Sequence, residues 1–247
     1  MSQKEITYMK VLVLGANGAT GFNVVTQLLL QGMQVLALAR NIEKFDPIKD
    51  SKHIKIIRAG ILDIDNHTLQ QYVRDADAVI SCLGHNITFK GIFGKPYTLV
   101  TDALIRIIDT VNDINKNRTV KIILMNTTGC TNKLQNEKLS GKENIIMSIL
   151  RKLLPPQRDN ESALDYLIER VGRSNTRIEW IAVRPDTLIN EADVSAYTVH
   201  PSPVRSPIFD AGKTSRINVA NFMACLLKDE ELWKKWKFKT PVIYNKE

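Results

Sequence analysis

An α/β fold built on a doubly wound parallel sheet is the architecture this sequence predicts, and three observations predict it. Short, continuous apolar runs recur along the chain, separated by stretches with helical or polar spacing. The runs are apolar throughout rather than alternating, as strands covered on both faces require. The first run, Val11-Leu12-Val13-Leu14, stops at Gly15, Gly18 and Gly21 and passes directly into a helix-compatible segment, Asn23–Gly32. Strands alternating with helices in this way imply parallel pairing with right-handed crossovers.

The glycines define the first connection. Gly15 permits a tight turn off the strand, Gly18 lets the backbone approach a ligand, and Gly21 lets the helix lie close to the strand. Free amides and the positive end of the helix dipole then favour an anion at this turn. With a strand before it and a helix after it, the motif reads as the pyrophosphate loop of a dinucleotide site. Gly15, Asn17, Gly18, Ala19, Thr20 and Gly21 make up that loop.

The second strand is Gln34–Ala39, ending in Arg40, and residues 41–52 form a polar connection with room for a short helix. His53–Arg58 reads as the third strand and residues 65–73 as a helix. Asp77–Gly84 is a fourth strand that closes on a glycine turn. Leu99, Ala103, Leu104, Ile107, Ile108 and Val111 repeat at helical spacing. Val120–Met125 is the fifth strand. Two helices are expected at 143–154 and 159–172, with Pro155-Pro156 between them. Ile178–Val183 is the sixth strand. Residues 186–213, with Pro201, Pro203 and Pro207, suggest loops and a short strand pair; Asn218–Lys228 reads as a helix and Pro241–Tyr244 as a last strand. Nothing marks a separate domain. A single domain over 1–247 is expected, with 186–247 supplying the last strand and a small irregular cap over the site.

Composition narrows the function classes. The 247 residues carry a net charge of +8, yet the basic residues are scattered rather than gathered into the dense stripe of a nucleic-acid face. The charge instead suits an anionic cofactor. Three distant cysteines, Cys82, Cys130 and Cys225, show neither metal spacing nor a disulfide framework, which fits a reducing, cytoplasmic compartment. Met1–Met9 lacks the character of a secretory leader, and no apolar segment reaches the roughly 18 residues of a membrane span. The expected partner is a small molecule, not a nucleic acid, a membrane or a metal.

Arg40 follows Gly21 by 19 residues, where an NAD site often holds an acid for the ribose 2′-hydroxyl. A guanidinium there suits the 2′-phosphate of NADP(H) instead.

Several segments together resemble one family. Gly15–Gly21, Arg40, Gly60-Ile61-Leu62-Asp63, Ser81-Cys82-Leu83-Gly84, Asn126-Thr127-Thr128-Gly129 and Trp180–Pro185 are similar to the atypical short-chain dehydrogenase/reductases of the NAD(P)H-binding, NmrA-like group. That group has the Rossmann fold and includes flavin and biliverdin-IXβ-type reductases, quinone reductases and redox-sensing regulators. The resemblance implies cofactor contacts from Leu62, Asp63, Leu83, Gly84, Arg184 and Pro185. Asp63 falls where the family contacts adenine, or it caps the following helix. Thr127 and Thr128 fall where the superfamily has its catalytic serine, and either hydroxyl would orient a carbonyl or bond to the strand-end backbone. His85 is a candidate proton donor beside the nicotinamide.

One departure matters. The Tyr-x-x-x-Lys pair of the family is missing. The near match Tyr166-Leu167-Ile168-Glu169-Arg170 lies closer to Arg184 than the family's tyrosine, which would fall near Gln157–Asp159, so Tyr166 reads as helix packing. The expectation is an NADPH-dependent oxidoreductase acting on a flavin, quinone or related conjugated acceptor, which can take its proton from water. The alternatives are an NADP(H)-sensing regulatory protein without chemistry and a nucleotide-sugar-epimerase-like enzyme.

Overall fold

The computed structural model describes residues 8–85, 94–114 and 118–246, so residues 1–7 of the polar N-terminal stretch lie outside it. Ten strands and seven α-helices are found among these residues. The strands are β1 (Lys10–Leu14), β2 (Gln34–Ala39), β3 (Ile54–Arg58), β4 (Ala78–Ser81), β5 (Val120–Met125), β6 (Ile178–Pro185), β7 (Thr187–Ile189), β8 (Tyr197–His200), β9 (Lys213–Ser215) and β10 (Val242–Asn245). The helices are α1 (Ala19–Leu30), α2 (Asn66–Asp75), α3 (Leu99–Asp113), α4 (Gly141–Leu153), α5 (Pro155–Asp165), α6 (Arg216–Lys228) and α7 (Glu230–Trp236).

The central sheet has eight strands in the order β3-β2-β1-β4-β5-β6-β10-β8. From β3 to β10 neighbours are parallel; β8 joins β10 antiparallel. The expected all-parallel sheet thus carries one antiparallel edge strand, drawn from the proline-rich stretch read as loops. The short strand pair also forms there, between β7 and β9.

The strand β1 shows the two-sided burial. Leu12 and Leu14 point into a core shared with α2, α3 and α5, whereas Val11 and Val13 point into a core shared with α1, α6 and α7. Strict alternation along a strand therefore divides one apolar run between two cores.

Two local features differ from the sequence reading. The two expected helices part at Leu154, and Pro155 and Pro156 stand in the first turn of the second, α5, where a missing N–H costs nothing. The segment after α5 winds as a π-helical turn over Tyr166–Val171. The short helix expected in 41–52 is a 3₁₀ turn at Glu43–Phe45, anchored by buried Phe45 against the Phe22 ring, centroids 5.6 Å apart.

The glycine turn is held by backbone packing. Gly15 has φ +69°, a conformation L side chains rarely adopt, and a Cβ there would press on the Cys82 carbonyl of β4's end. At Gly21 a Cβ would fall well inside contact with the Gly15 carbonyl, whose carbon would be 3.0 Å away. The first turn of α1 therefore lies directly on the Gly15 backbone, with no side chain between them at that point. Gly21→Ala is expected to lower stability by about 1–3 kcal/mol, the usual cost of overpacking, read as a reduced urea midpoint. An unchanged midpoint would show that α1 can shift without penalty.

Candidate functional site

The strand order reverses between β1 and β4, and in open α/β sheets ligands bind beyond the carboxyl ends of the strands at such a point. A cleft of about 370 Å³ opens there. Its walls are Gly15, Asn17 and Gly18 of the loop, Arg40 after β2, Gly60, Leu62 and Asp63 after β3, and Leu83 and Gly84 after β4. Pro96 and Leu99 close one side. Segments separated by up to 84 residues of sequence thus converge as the strand ends require, and eight of the expected cofactor residues share this one cleft.

The loop end of the cleft is built for an anion. Gly18 caps α1 without a side-chain acceptor, and the first turn of α1 holds no acid. The amides of Ala19, Thr20 and Gly21 meet no acceptor among the described residues. Three unsatisfied amides and a positive dipole end are what a pyrophosphate neutralises. Thr20 itself is buried at the foot of this turn.

Cations flank it. Arg40 is exposed and its guanidinium makes no hydrogen bond or ion pair with any described residue. Lys44, which the sequence reading left in an undistinguished polar connection, lies with its Nζ 3.5 Å from the Gly18 carbonyl and 4.8 Å from the centre of the Phe22 ring. Burial pushes its pKa down from the ordinary lysine value. The signal for Lys44 was its neighbour: Phe45 is the apolar anchor that folds the connection back onto α1. The donor set fits a dinucleotide, whose pyrophosphate the α1 turn would hold and whose ribose the Arg40 side would face.

Asp63 is free of the alternative role weighed for it. The cap of α2 is Asp65, whose side chain accepts the Thr68 amide at 2.9 Å, and this bond lowers the Asp65 pKa. Asp63 is left exposed beside Gly60, where a Cβ would collide with its carboxylate.

Three expected residues sit elsewhere. Arg184 does not reach the cleft: it is fully buried, with Nη1 on the Cys130 carbonyl at 2.9 Å, Nε on the Thr240 carbonyl at 2.9 Å and both Nη atoms on the Glu137 carboxylate at 2.6 and 2.7 Å. Every side of the guanidinium is used, so its work is to tie the loop after β5 to the segment just before β10. Pro185 ends β6 beside it and likewise does not line the cleft. Thr128 is buried near Asp186. Burial raises the Asp186 pKa against the opposing pull of its polar neighbours, the Gly212 amide first among them.

Thr127 is less committed. Its Oγ1 accepts the Gly129 amide at 3.2 Å, and the residue is half-buried. His85 stands next to Gly84 but its ring contacts Asp159 of α5, Nε2 to Oδ2 2.8 Å. Tyr166 packs against the core at the start of the π-helical turn, and burial raises its pKa, as a packing role implies. The cysteines are free thiols, and burial pushes Cys82 up to about 12, so it is no nucleophile.

A second hollow of about 470 Å³ lies further along the carboxyl edge, beyond β5 and β6. Thr128, Gln135, Ser202, Arg205 and Ser206 give it polar walls. It went unnoticed in the sequence because its walls come from two irregular segments, 128–143 and 202–207.

These features define a dinucleotide-binding α/β protein. A family model described as NAD(P)H-binding matches residues 15–230, and the chain belongs to that family. An uncharacterised chloroplastic protein of Arabidopsis thaliana is 25% identical over 199 residues, 78% of this chain and 70% of that protein. Among solved structures, a candidate NAD-dependent epimerase/dehydratase from Bacillus halodurans superposes with a TM-score of 0.69 at 20% identity, over 97% of this chain and 95% of the other. A short-chain dehydrogenase/reductase from Veillonella parvula in complex with NADP gives 0.69 at 17% identity, over the same shares. ChuY, an anaerobillin reductase from Escherichia coli O157:H7, gives 0.65 at 15% identity, over 97% and 98%. At these identities the superpositions speak for the fold.

The Arg184–Glu137 pair yields a test of its structural role. Glu137→Ala leaves a fully buried guanidinium short of its carboxylate, and removal of one partner of a buried pair costs about 3–5 kcal/mol. A urea midpoint within error of the parent would show that Arg184 is satisfied without Glu137.

Proposed function

We propose that the protein is an NADPH-dependent reductase that passes hydride to a small conjugated acceptor, a flavin, a quinone or a related compound. The observation that carries the cofactor choice is the pair of cations, Arg40 and Lys44, around a glycine loop with no carboxylate at the end of β2. A 2′-phosphate adds negative charge there, and charge-assisted bonds to it favour NADPH over NADH. Asp63, against Gly60 on the side that Arg40 also faces, suits hydrogen bonds from the adenine edge.

The bound nicotinamide would supply the hydride; the chain's residues position it. Leu83 and Gly84 keep the wall after β4 apolar and low, which suits a flat ring. Thr127 keeps its hydroxyl hydrogen free to orient an acceptor. The polar hollow beyond β5 and β6 suits the acceptor's polar substituents, and residues 202–207 on its far wall support the reading of 186–247 as a cap within one domain. The relation in fold to an anaerobillin reductase is in keeping with a conjugated acceptor.

One observation favours a redox-sensing, non-catalytic reading: the Tyr-x-x-x-Lys pair is missing, and Tyr166 packs against the core with Arg170 four residues on. The two readings part on turnover. Stoichiometric NADPH binding without oxidation across a panel of flavins and quinones favours the sensor; NADPH consumption favours the reductase.

Two variants test the cofactor site. Arg40→Ala is expected to weaken NADPH much more than NADH, and a charge-assisted bond of about 1.5–3 kcal/mol makes the loss of preference roughly ten- to a hundredfold. Equal losses by calorimetry for both cofactors would make Arg40 a surface residue. A Cβ at Gly18 meets only the Gly15 carbonyl, at 3.1 Å, so Gly18→Val is expected to keep the fold while its side chain fills the phosphate position. Undiminished NADPH affinity in Gly18→Val would remove the pyrophosphate assignment.

A further inference from the structure

The outer face of α4 has the wrong composition for a face that meets only water. On its inner side Glu143 and Met147 are buried and Leu150 is half-buried, which accounts for the packing of the helix on the fold. On its outer side Ile145, Ile149 and Leu153 recur every four residues and are 64%, 50% and 61% exposed. A helix brings such positions within about 80° of arc, so the three side chains form a second apolar stripe. A shallow hollow runs along it between Ile145, Ile149 and Lys152.

The stripe has apolar neighbours. Val204 and Phe209 are exposed on the segment that Ser206 fastens to Glu143, and Leu134 is exposed in the turn whose Lys133 shares a hollow with Arg151 of α4. Six of the ten exposed large hydrophobic residues among those described belong to α4 and these two segments. Single exposed apolar side chains need no explanation, but a gathering of them does.

Charge around the stripe has one sign. Between residues 133 and 158 the exposed charges are Lys133, Lys138, Lys142, Arg151, Lys152 and Arg158, all basic. The two acids of that stretch are turned inward: Glu137 is bound to Arg184, and Glu143 to Ser140 and Ser206. Arg151 and Lys133 pair with Glu161 and Asp165, whereas Lys138, Lys142, Lys152 and Arg158 meet no acid among the described residues.

We propose that this face docks on an anionic membrane surface, with Ile145, Ile149 and Leu153 at the acyl boundary and the surrounding bases at the headgroups. The stripe suits an apolar partner and its rim suits a negative one, and a lipid surface offers both in one plane. A second copy of the chain offers only the first, because a two-fold contact of this face would set bases against bases. No described helix is long and apolar enough to cross a bilayer, but a helix that lies along the surface needs no such length. Three side chains bury little area and a few charges bind weakly, so the two signals act together. Glu143 is also a wall of the second hollow, so docking sets that hollow beside the lipid-facing helix.

Co-sedimentation of the full chain with vesicles tests this without cofactor or turnover. Phosphatidylcholine vesicles carrying about one-third phosphatidylglycerol should bind it roughly tenfold more tightly than pure phosphatidylcholine, and about 0.5 M salt should release it. Ile145→Ser with Ile149→Ser should weaken binding by about tenfold, and Lys142→Glu with Lys152→Glu by a similar factor. All four positions are exposed, so both variants should keep the parent's urea midpoint. No binding to the anionic vesicles, or parental binding by the isoleucine variant, would overturn the proposal. A loss confined to the lysine variant would mark a site for any polyanion and overturn it as well. A concentration-dependent dimer that the isoleucine variant dissolves would assign the stripe to a second copy instead.

Discussion

The site depends on one contact between backbones, the crossing of α1 over β1 at Gly15 and Gly21. No side chain fits between the two segments at that point, and Gly15 holds a positive φ that also brings it against the Cys82 carbonyl at the end of β4. The close crossing aims the free amides of α1 at the carboxyl edge of the sheet. It also fixes the distance between the loop and the wall formed by Leu83 and Gly84. A larger residue at Gly21 would lift the helix and draw the anion site away from the cleft in which the rest of the ligand must lie. Packing and ligand geometry are therefore set by the same missing side chains.

Electrostatics build outward from that crossing. The helix dipole and unsatisfied amides set a positive end at Gly18, Lys44 adds a charge at the lip of the loop, and Arg40 extends it along the cleft wall. Lys44 is brought there by apolar packing: Phe45 is buried against Phe22, so the connection after β2 lies back on α1. The other large charge of this end of the molecule, Arg184, is withdrawn from the ligand and spent on the loop after β5. Two arginines near strand ends thus do different work, and what separates them is whether a carboxylate, Glu137, comes within reach.

The two threonines after β5 show the same sorting on a smaller scale. They are adjacent in sequence and equivalent in chemistry. Thr128 is buried near Asp186, while Thr127 accepts a turn amide and stays half-buried. The turn after β5 buries Thr128 at the edge of the second hollow and leaves Thr127 half-buried. The polar hollow beyond them is walled by segments without regular structure, which is where substrate specificity is most easily varied on a rigid scaffold.

By itself the sequence determined the strand-turn-helix at the N-terminus, the run of strands from Lys10 to Val183, the glycine loop and the convergence of Arg40, Asp63, Leu83 and Gly84 on one edge. These are legible because apolar periodicity, the missing Cβ of glycine and the switch-point rule all act over a few residues or follow from strand order alone. Tertiary structure decided the rest. It turned Pro155-Pro156 from a separator into the start of α5, added β8 antiparallel at the sheet edge, buried Arg184 and brought Lys44 to the loop. It also joined His85 to Asp159 across 74 residues of chain. The physical reason is common to all of these. A charged or polar side chain takes the role its partner allows, and a partner that is distant in sequence is chosen by how helices and strand ends pack, which no local pattern encodes.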